Sequence, residues 1–280
     1  MLSIIYGLAS ALSWGAGDFT GGLAARKVGA YRSVFYAEVI GIIFLFIILA
    51  IVGEPFLNDR AILFALIAGF TGTIGLMLLY HAMATGVMSI AAPVSALLAA
   101  TLPVIIGIFT EGLPEYLTMI GFVFALFAVW MVSQGEDGIK DILSHLSDLK
   151  LPLLAGIGFG LYFILMHEAT RDGGLIWHMI FSRIGGLIMV TGYLIITRAS
   201  LKIDFSAMPI ISLNGVLDIG GNFFFILASQ AGRLDVSAVL SSLFPGATVI
   251  LAGIFLKERL TRNQWIGIVS ALIAIILMTI

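Results

Sequence analysis

The chain has 280 residues, of which 60% are hydrophobic and only 11% are charged, and its formal net charge is −2. Soluble domains contain about 45–50% apolar and about 25% charged residues. So few charges cannot cover a soluble protein of this length, which excludes a cytosolic enzyme, a nucleic-acid-binding protein and a disordered chain. The chain has no cysteine, which excludes disulfides, thiolate metal sites and a cysteine nucleophile.

Long apolar stretches follow one another along the whole chain. A membrane-spanning helix needs about 20 mostly apolar residues, whereas the strands of a membrane barrel alternate over about ten. The unbroken runs therefore predict an all-α integral membrane protein with ten transmembrane helices and short loops. The predicted spans are 2–24, 33–52, 61–85, 88–109, 116–133, 151–170, 175–197, 207–230, 235–256 and 263–280.

The two halves of the chain resemble each other at a shift of 146 residues. Without a gap, 69–128 and 215–274 share 16 identities in 60 positions, whereas about 5 are expected by chance for this composition. We interpret the match as an internal duplication. The aligned pairs include Gly69 with Gly215, Gly75 with Gly221, Ala82 with Ala228, Ser95 with Ser241, and Gly121 with Gly267.

The longest connection separates the two halves. Ile139, Ile142 and Leu146 have helical spacing in a segment too short to span, with polar residues between them. Such a segment is typical of a helix that lies in the membrane interface. We predict a first five-helix repeat at 1–135, an interfacial linker at 136–150 and a second five-helix repeat at 151–280.

An odd number of spans in each half has a topological consequence. The second half must enter the membrane from the side opposite to the first, so the two form inverted repeats about a pseudo-two-fold axis in the membrane plane. Such halves can open a central site first to one side and then to the other, as transporters do.

Polar stripes inside the spans indicate where such a site lies, because ionisable groups in a bilayer usually face the bundle interior. Asn214, Asp218 and Asn222 share one helical face of the eighth span, and Trp14 and Asp18 lie in the first span. We predict a polar cavity between spans one, four, eight and nine. For Trp14, stacking on a ligand and packing in the core remain alternatives.

Further candidates for the substrate path are Tyr80 in the third span, Ser95 in the fourth, Tyr162 in the sixth and Ser241 in the ninth. For the serines, the alternative is that the hydroxyl groups only bond to neighbouring groups and pack the bundle.

Four charged residues lie clearly within spans: Asp18, Glu38, Arg183 and Asp218. Asp18 and Asp218 are candidate proton carriers, because apolar surroundings favour the neutral form of a carboxyl group. Arg183 could pair with Asp218 at a similar depth. It could instead pair with Glu38, with which it aligns at a shift of 145.

The chain resembles the drug/metabolite transporter superfamily, specifically its ten-helix EamA-type branch. The resemblance covers the whole chain and is carried by the two five-helix halves and three short motifs. These motifs are Ser13-Trp14-Gly15, Lys257-Glu258-Arg259-Leu260-Thr261 and Gln264-Trp265-Ile266-Gly267. The resemblance implies a secondary transporter of small organic solutes, often an exporter of amino acids or other metabolites, with a central cavity between the halves.

We therefore expect an alternating-access transporter that exports a small metabolite such as an amino acid and is coupled to a proton. We expect it to be a multi-pass protein of the plasma (inner) membrane. A multidrug or cation exporter and a passive facilitator or channel are the alternatives. The chain has no GxSxG, HExxH or Walker motif, so we expect no enzyme activity, cofactor or metal. The expected partners are the lipid bilayer, the substrate and the proton.

The charges of the loops and the family resemblance predict opposite orientations. Loops after odd-numbered spans hold ten of the fourteen lysines and arginines, which places both termini outside by the positive-inside rule. The resemblance implies that both termini are cytoplasmic.

Overall fold

The computed structural model describes residues 1–85, 88–132, 150–255 and 261–279. This part of the chain is helical nearly throughout, and it contains no strand. The helices are α1 (Leu2–Val28), α2 (Ala30–Val52), α3 (Asp59–Thr85), α4 (Met88–Glu111), α5 (Tyr116–Val132), α6 (Lys150–Ala169), α7 (Ile176–Thr197), α8 (Met208–Ala231), α9 (Leu234–Ser241), α10 (Phe244–Phe255) and α11 (Arg262–Thr279), with a short 3₁₀ helix at Phe205–Ala207.

Seven stretches of the described residues are long and apolar enough to cross a membrane, and one of them runs through both α9 and α10. Two further apolar helices, α5 and α11, are shorter. The more polar α1 has 27 residues, a length of about 40 Å at 1.5 Å per residue. With α9 and α10 counted as one span, these helices confirm the prediction of ten membrane helices.

Most predicted span ends agree with the structure to within three residues, and two predicted spans differ more. α1 continues to Val28 rather than 24, because Ala25 and Val28 are buried in the bundle. It ends at Gly29, whose φ of 88° requires the conformational freedom of glycine. The ninth predicted span consists of two helices. The first, α9, ends at Ser241, the chain turns at Ser242, and α10 begins at Phe244. The predicted interfacial helix at 136–150 lies outside the described residues, apart from Lys150 at the start of α6.

The contacts between helices of the two halves follow a symmetric pattern. If each helix is replaced by its equivalent in the other half, the same pairs of helices remain in contact. Exchange relates α1 to α6, α2 to α7, α3 to α8, α4 to α9 with α10, and α5 to α11. The packing of α1 on α8 corresponds to that of α6 on α3, and the packing of α2 on α8 to that of α7 on α3. The pairs α2–α7 and α5–α11 correspond to themselves. This is the contact pattern that inverted repeats require.

Glycines that align in the sequence occupy equivalent contacts in the structure. A Cβ atom at Gly69 would run into the carbonyl oxygen of Ser182, and one at Gly215 would come within 3.0 Å of the carbonyl oxygen of Ala37. Ser182 and Ala37 are themselves 145 positions apart. The same backbone-to-backbone approach therefore occurs twice, once for α3 on α7 and once for α8 on α2.

The contact between α5 and α11 repeats in the same way. A Cβ atom at Gly121 would lie 3.1 Å from the carbonyl oxygen of Ala274, and one at Gly267 would lie 2.8 Å from that of Ala128. Both the glycines and the alanines are 146 positions apart. Small residues thus allow close helix contacts where lipid removes the hydrophobic driving force.

We expect Gly69→Ala to lower the free energy of unfolding by about 1–3 kcal/mol, because the added methyl group overpacks the α3–α7 contact. Gly192→Ala in α7 is the matched control, because a Cβ atom there meets nothing within 4 Å. Unfolding of both variants in a denaturing detergent measures the difference. Equal stability of the two variants would contradict the close contact.

Two apolar clusters lie at opposite depths in the bundle. We call one the N-face cluster, because most of its residues lie in the helix halves nearest the face of the bundle that carries residue 1. We call the other the opposite-face cluster, because its residues lie mostly in the helix halves nearest the other face of the bundle. The N-face cluster comprises Leu45, Ala65, Ala68, Ala99, Tyr162, Phe163, Met166, Ala169, Ile176, Met179, Ile180, Ile219, Phe225, Ile226, Leu234 and Ala238. The opposite-face cluster comprises Ala25, Val34, Leu79, Tyr80, Ala82, Met83, Ala91, Ala92, Ala96, Val129, Ala155 and Phe244.

The loop between α2 and α3 holds the first turn of α7. Its Glu54 carboxylate accepts hydrogen bonds from the backbone N–H groups of Leu175, Ile176 and Trp177, the last two at 2.7 and 3.0 Å. A carboxylate there satisfies N–H groups that lack partners within the helix and complements its dipole. One half thereby caps a helix of the other.

A corresponding connection lies at the opposite face, where the loop between α7 and α8 contacts the start of α2. Arg32 Nε donates to the carbonyl oxygen of Ser200 at 2.8 Å, and the Tyr36 hydroxyl donates to that of Leu201 at 2.9 Å. Each half is therefore tied to the second helix of the other half.

Candidate functional site

A cavity lies near the middle of the bundle, between the two apolar clusters. It contains about 700 Å³ of space free of protein atoms, part of which is open to the surroundings. Its walls come from α1, α2, α3, α6, α7, α8 and α10, so both halves contribute. Its polar lining residues are Asp18, Glu38, Thr73, Ser182, Arg183, Asp218 and Asn222.

Arg183 forms the centre of a charged cluster in this cavity. One guanidinium nitrogen, Nη1, donates to Glu38 Oε2 at 3.1 Å, and the other, Nη2, donates to Asp218. Both ion pairs that the sequence left as alternatives therefore occur together. The planar guanidinium suits this role, because its two ends can serve two carboxylates at once.

Further polar groups complete the cluster. The hydroxyl of Thr73 donates to Glu38 Oε1 at 3.0 Å, and Asn222 Nδ2 donates to Asp218 Oδ2 at 3.1 Å. The Tyr162 hydroxyl donates in turn to the side-chain carbonyl of Asn222. Arg183, Thr73 and Asn222 thus all donate to the two acids, and such additional hydrogen bonds are what a buried ion pair needs to be stable.

Two glycines make room for the cluster. A Cβ atom at Gly41 would lie 3.4 Å from Arg183 Nε, and one at Gly186 would lie 2.8 Å from Glu38 Oε1. A Cβ atom at Gly186 would therefore displace the Glu38 carboxylate, whereas one at Gly41 would be in ordinary contact with Arg183. The sequence therefore places the cluster at the contact between the equivalent helices of the two halves.

Asp18 lies apart from this cluster. Asp18 is only 7% exposed, and it lines the cavity. Among the residues that the structure describes, none donates a hydrogen bond to its carboxyl group or forms an ion pair with it. Asp18 is thus a buried carboxyl group that faces the cavity without a partner from the described chain.

Aromatic rings form much of the remaining cavity wall. Trp14 lies 5.4 Å from Phe163 and 6.4 Å from Tyr162, measured between ring centroids. The indole packs on core rings, as one of the two alternatives for Trp14 stated, and it also lines the cavity, whereas its stacking on a ligand stays a prediction. The aromatic lining residues are Trp14, Phe159, Tyr162, Phe163 and Phe244.

Four candidates from the sequence lie outside the described lining. Asn214 Nδ2 donates to the carbonyl oxygen of Gly17 at 2.8 Å and to the Tyr80 hydroxyl at 2.9 Å, which ties α1, α3 and α8 together beside the cavity. The Ser95 hydroxyl donates to the carbonyl oxygen of Ala92 at 2.7 Å. Ser241 is fully buried, and its hydroxyl has no hydrogen-bond partner in the part of the chain that the structure describes.

The cavity wall consequently differs from the predicted one. Of the four expected spans, the fourth contributes no described lining residue, because its Ser95 and Thr101 hydroxyls bond to their own helix. The second, third, sixth and seventh spans contribute instead. Thr73 and Ser182 were not singled out from the sequence, since isolated hydroxyl residues in apolar helices commonly bond to the backbone.

A model of the EamA-like transporter family matches residues 1–134 and again residues 148–280, close to the two repeats. The chain belongs to the EamA-like transporter family, a family of membrane transporters of small molecules.

Two other comparisons found similar proteins. An uncharacterized protein of Methanocaldococcus jannaschii is 30% identical over 123 residues, which cover 44% of this chain and 88% of that protein. A crystal structure with 14% identity superposes with a TM-score of 0.80 and covers 99% of this chain and 98% of that one. The second likeness concerns the fold.

Proposed function

We propose that the protein is a secondary transporter that moves a small organic solute by alternating access and couples this movement to a proton on Asp18. The observation that carries the proposal is a buried Asp18 that has no partner among the described residues and faces a cavity between two inverted halves. In line with the family resemblance, we propose export across the plasma membrane as its direction.

The position of the cavity supports alternating access. The N-face cluster contributes Tyr162, Phe163 and Met179 to its lining, and the opposite-face cluster contributes Phe244. The two clusters thus form apolar layers at opposite depths, and both contribute to the cavity wall. Because the halves are related by exchange, a rearrangement that opens one layer has an equivalent that opens the other.

The environment of Asp18 supports proton binding. A buried carboxylate without a partner is unfavourable, so its neutral form is favoured until a cation or water reaches it. Glu38 and Asp218 are bound to Arg183 and are less available for this role. The titratable and charged groups that share the cavity with Asp18 are Glu38, Tyr162, Arg183 and Asp218.

Transport in proteoliposomes tests the proposal. A thermal-shift screen against amino acids, sugars, nucleosides and amines first identifies a ligand, since binding to the folded state raises the melting temperature. We then expect saturable uptake of that ligand, faster with the same ligand on the far side, and driven by a pH gradient. Uptake without saturation or counterflow would favour a facilitator or channel.

A further inference from the structure

The cavity has an excess of negatively charged groups over positively charged ones. Its described lining contains three carboxyl groups, those of Asp18, Glu38 and Asp218, and a single basic side chain, that of Arg183. The guanidinium already donates to both Glu38 and Asp218. A ligand therefore meets an unpaired acid in the described lining, but it meets no unpaired basic group there.

The donors beside the acids are also engaged. The Thr73 hydroxyl donates to Glu38, and the Asn222 amide donates to Asp218. A ligand carboxylate would have to displace an existing bond to reach Arg183, which would leave a buried acid unpaired. A ligand ammonium group needs no such displacement, because Asp18 is free to accept it.

The rings of the lining favour the same ligand charge. Trp14 and Tyr162 line the cavity together with Phe159 and Phe163. The faces of aromatic rings attract cations, most strongly that of tryptophan, and they also pack against apolar ligand bodies. A ligand with an apolar body and one positive charge therefore matches both the aromatic rings and the Asp18 carboxyl group of the cavity wall.

We infer that Asp18 is the ammonium-binding group of the cavity, so that the cavity selects monovalent organic amines with an aromatic or alkyl body over zwitterions and anions. This inference rests on the proposed transport function and specifies its substrate class. It also distinguishes amines from amino acids, because the latter carry a carboxylate for which the described lining has no free basic partner.

Four probes with one shared phenyl-containing body test the inference: 2-phenylethylamine, phenylalanine, 3-phenylpropionate and 2-phenylethanol. We expect the purified full-length protein to bind the amine at least tenfold more tightly than any of the other three, measured by thermal shift at millimolar concentrations. Tighter or equal binding of the zwitterion or the anion would overturn the inference. Binding of none of the probes would also overturn it.

Variants test the role of Asp18 itself. Asp18→Asn should weaken binding of the amine at least tenfold and abolish its preference over 2-phenylethanol, whereas Asp18→Glu should restore part of both. Asp59→Asn is the matched control, because Asp59 is exposed outside the cavity. Retention of the amine preference in Asp18→Asn would contradict the assignment. If phenylalanine instead shows saturable counterflow, the proposed function stands and only the substrate class is wrong.

Discussion

Replacing Arg183 with methionine should strongly destabilise the protein. The substitution leaves Glu38 and Asp218 without the guanidinium that both contact, and the Glu38 residue is only 4% exposed. Removing one partner of a buried ion pair costs about 3–5 kcal/mol, because the remaining charge loses its counter-charge but stays out of water. Unfolding in a denaturing detergent measures the loss.

A neutral cluster provides the control for this prediction. The triple variant Glu38→Gln, Arg183→Met and Asp218→Asn has no buried charge at these positions, so it should recover most of the lost stability. Arg183→Lys should lie between the parent and Arg183→Met, because a single ammonium group cannot hold two carboxylates with the geometry of the planar fork. A triple variant no more stable than Arg183→Met would contradict the account of the cluster.

Replacing Asp18 with asparagine should preserve the stability of the protein but impair its transport. Because Asp18 has no partner among the described residues, the variant should fold and be at least as stable as the parent. It should nevertheless lose uptake driven by a pH gradient by tenfold or more, since asparagine cannot take up or release a proton. Proteoliposome uptake with and without a pH gradient measures the effect.

The same proteoliposome assay on a second variant provides the control for this second prediction. Asp59→Asn removes an exposed carboxyl group and should leave the pH dependence unchanged. If Asp18→Asn and Asp218→Asn both preserve gradient-driven uptake, neither acid carries the coupled proton, and the proton-coupled part of the proposal is wrong.

The sequence predicted the fold because the packing of this bundle depends on recognisable residues. Gly121 and Gly267 align at a fixed shift, and each lies against a backbone carbonyl of the other's helix. The repeat of the glycines is therefore the repeat of the helix contacts. The break in the ninth span could not be placed from Pro245 alone, because proline is tolerated in the first turn of a helix, and here it lies one residue after Phe244 begins α10.

The sequence predicted the charged residues of the site better than its walls. Asp18, Arg183 and Asp218 are conspicuous because charges are rare in apolar spans, and all three line the cavity. Other lining residues of α3 and α7, such as Gly72 and Met179, were missed, because they have no polar signal. Which face of a helix is turned to a cavity depends on the neighbouring helices, and one helix in isolation does not determine it.

Accessibility of one cavity residue from both sides of the membrane tests the central claim most directly. The chain has no cysteine, so Ser182→Cys introduces a single thiol into the cavity lining with little change in size. Ser10→Cys is the control, because Ser10 is fully buried and donates to the carbonyl oxygen of Gly221 at 2.9 Å. The reagent is a membrane-impermeant maleimide, applied to one face at a time of sealed vesicles. The vesicle lumen contains a soluble thiol, whose loss reports entry of the maleimide.

Alternating access around this cavity predicts that the thiol at position 182 is labelled from either face, that the thiol at position 10 is not labelled, and that the reagent does not enter the vesicle lumen. Labelling of position 182 from one face only would contradict alternating access, and entry of the reagent into the lumen would indicate a channel.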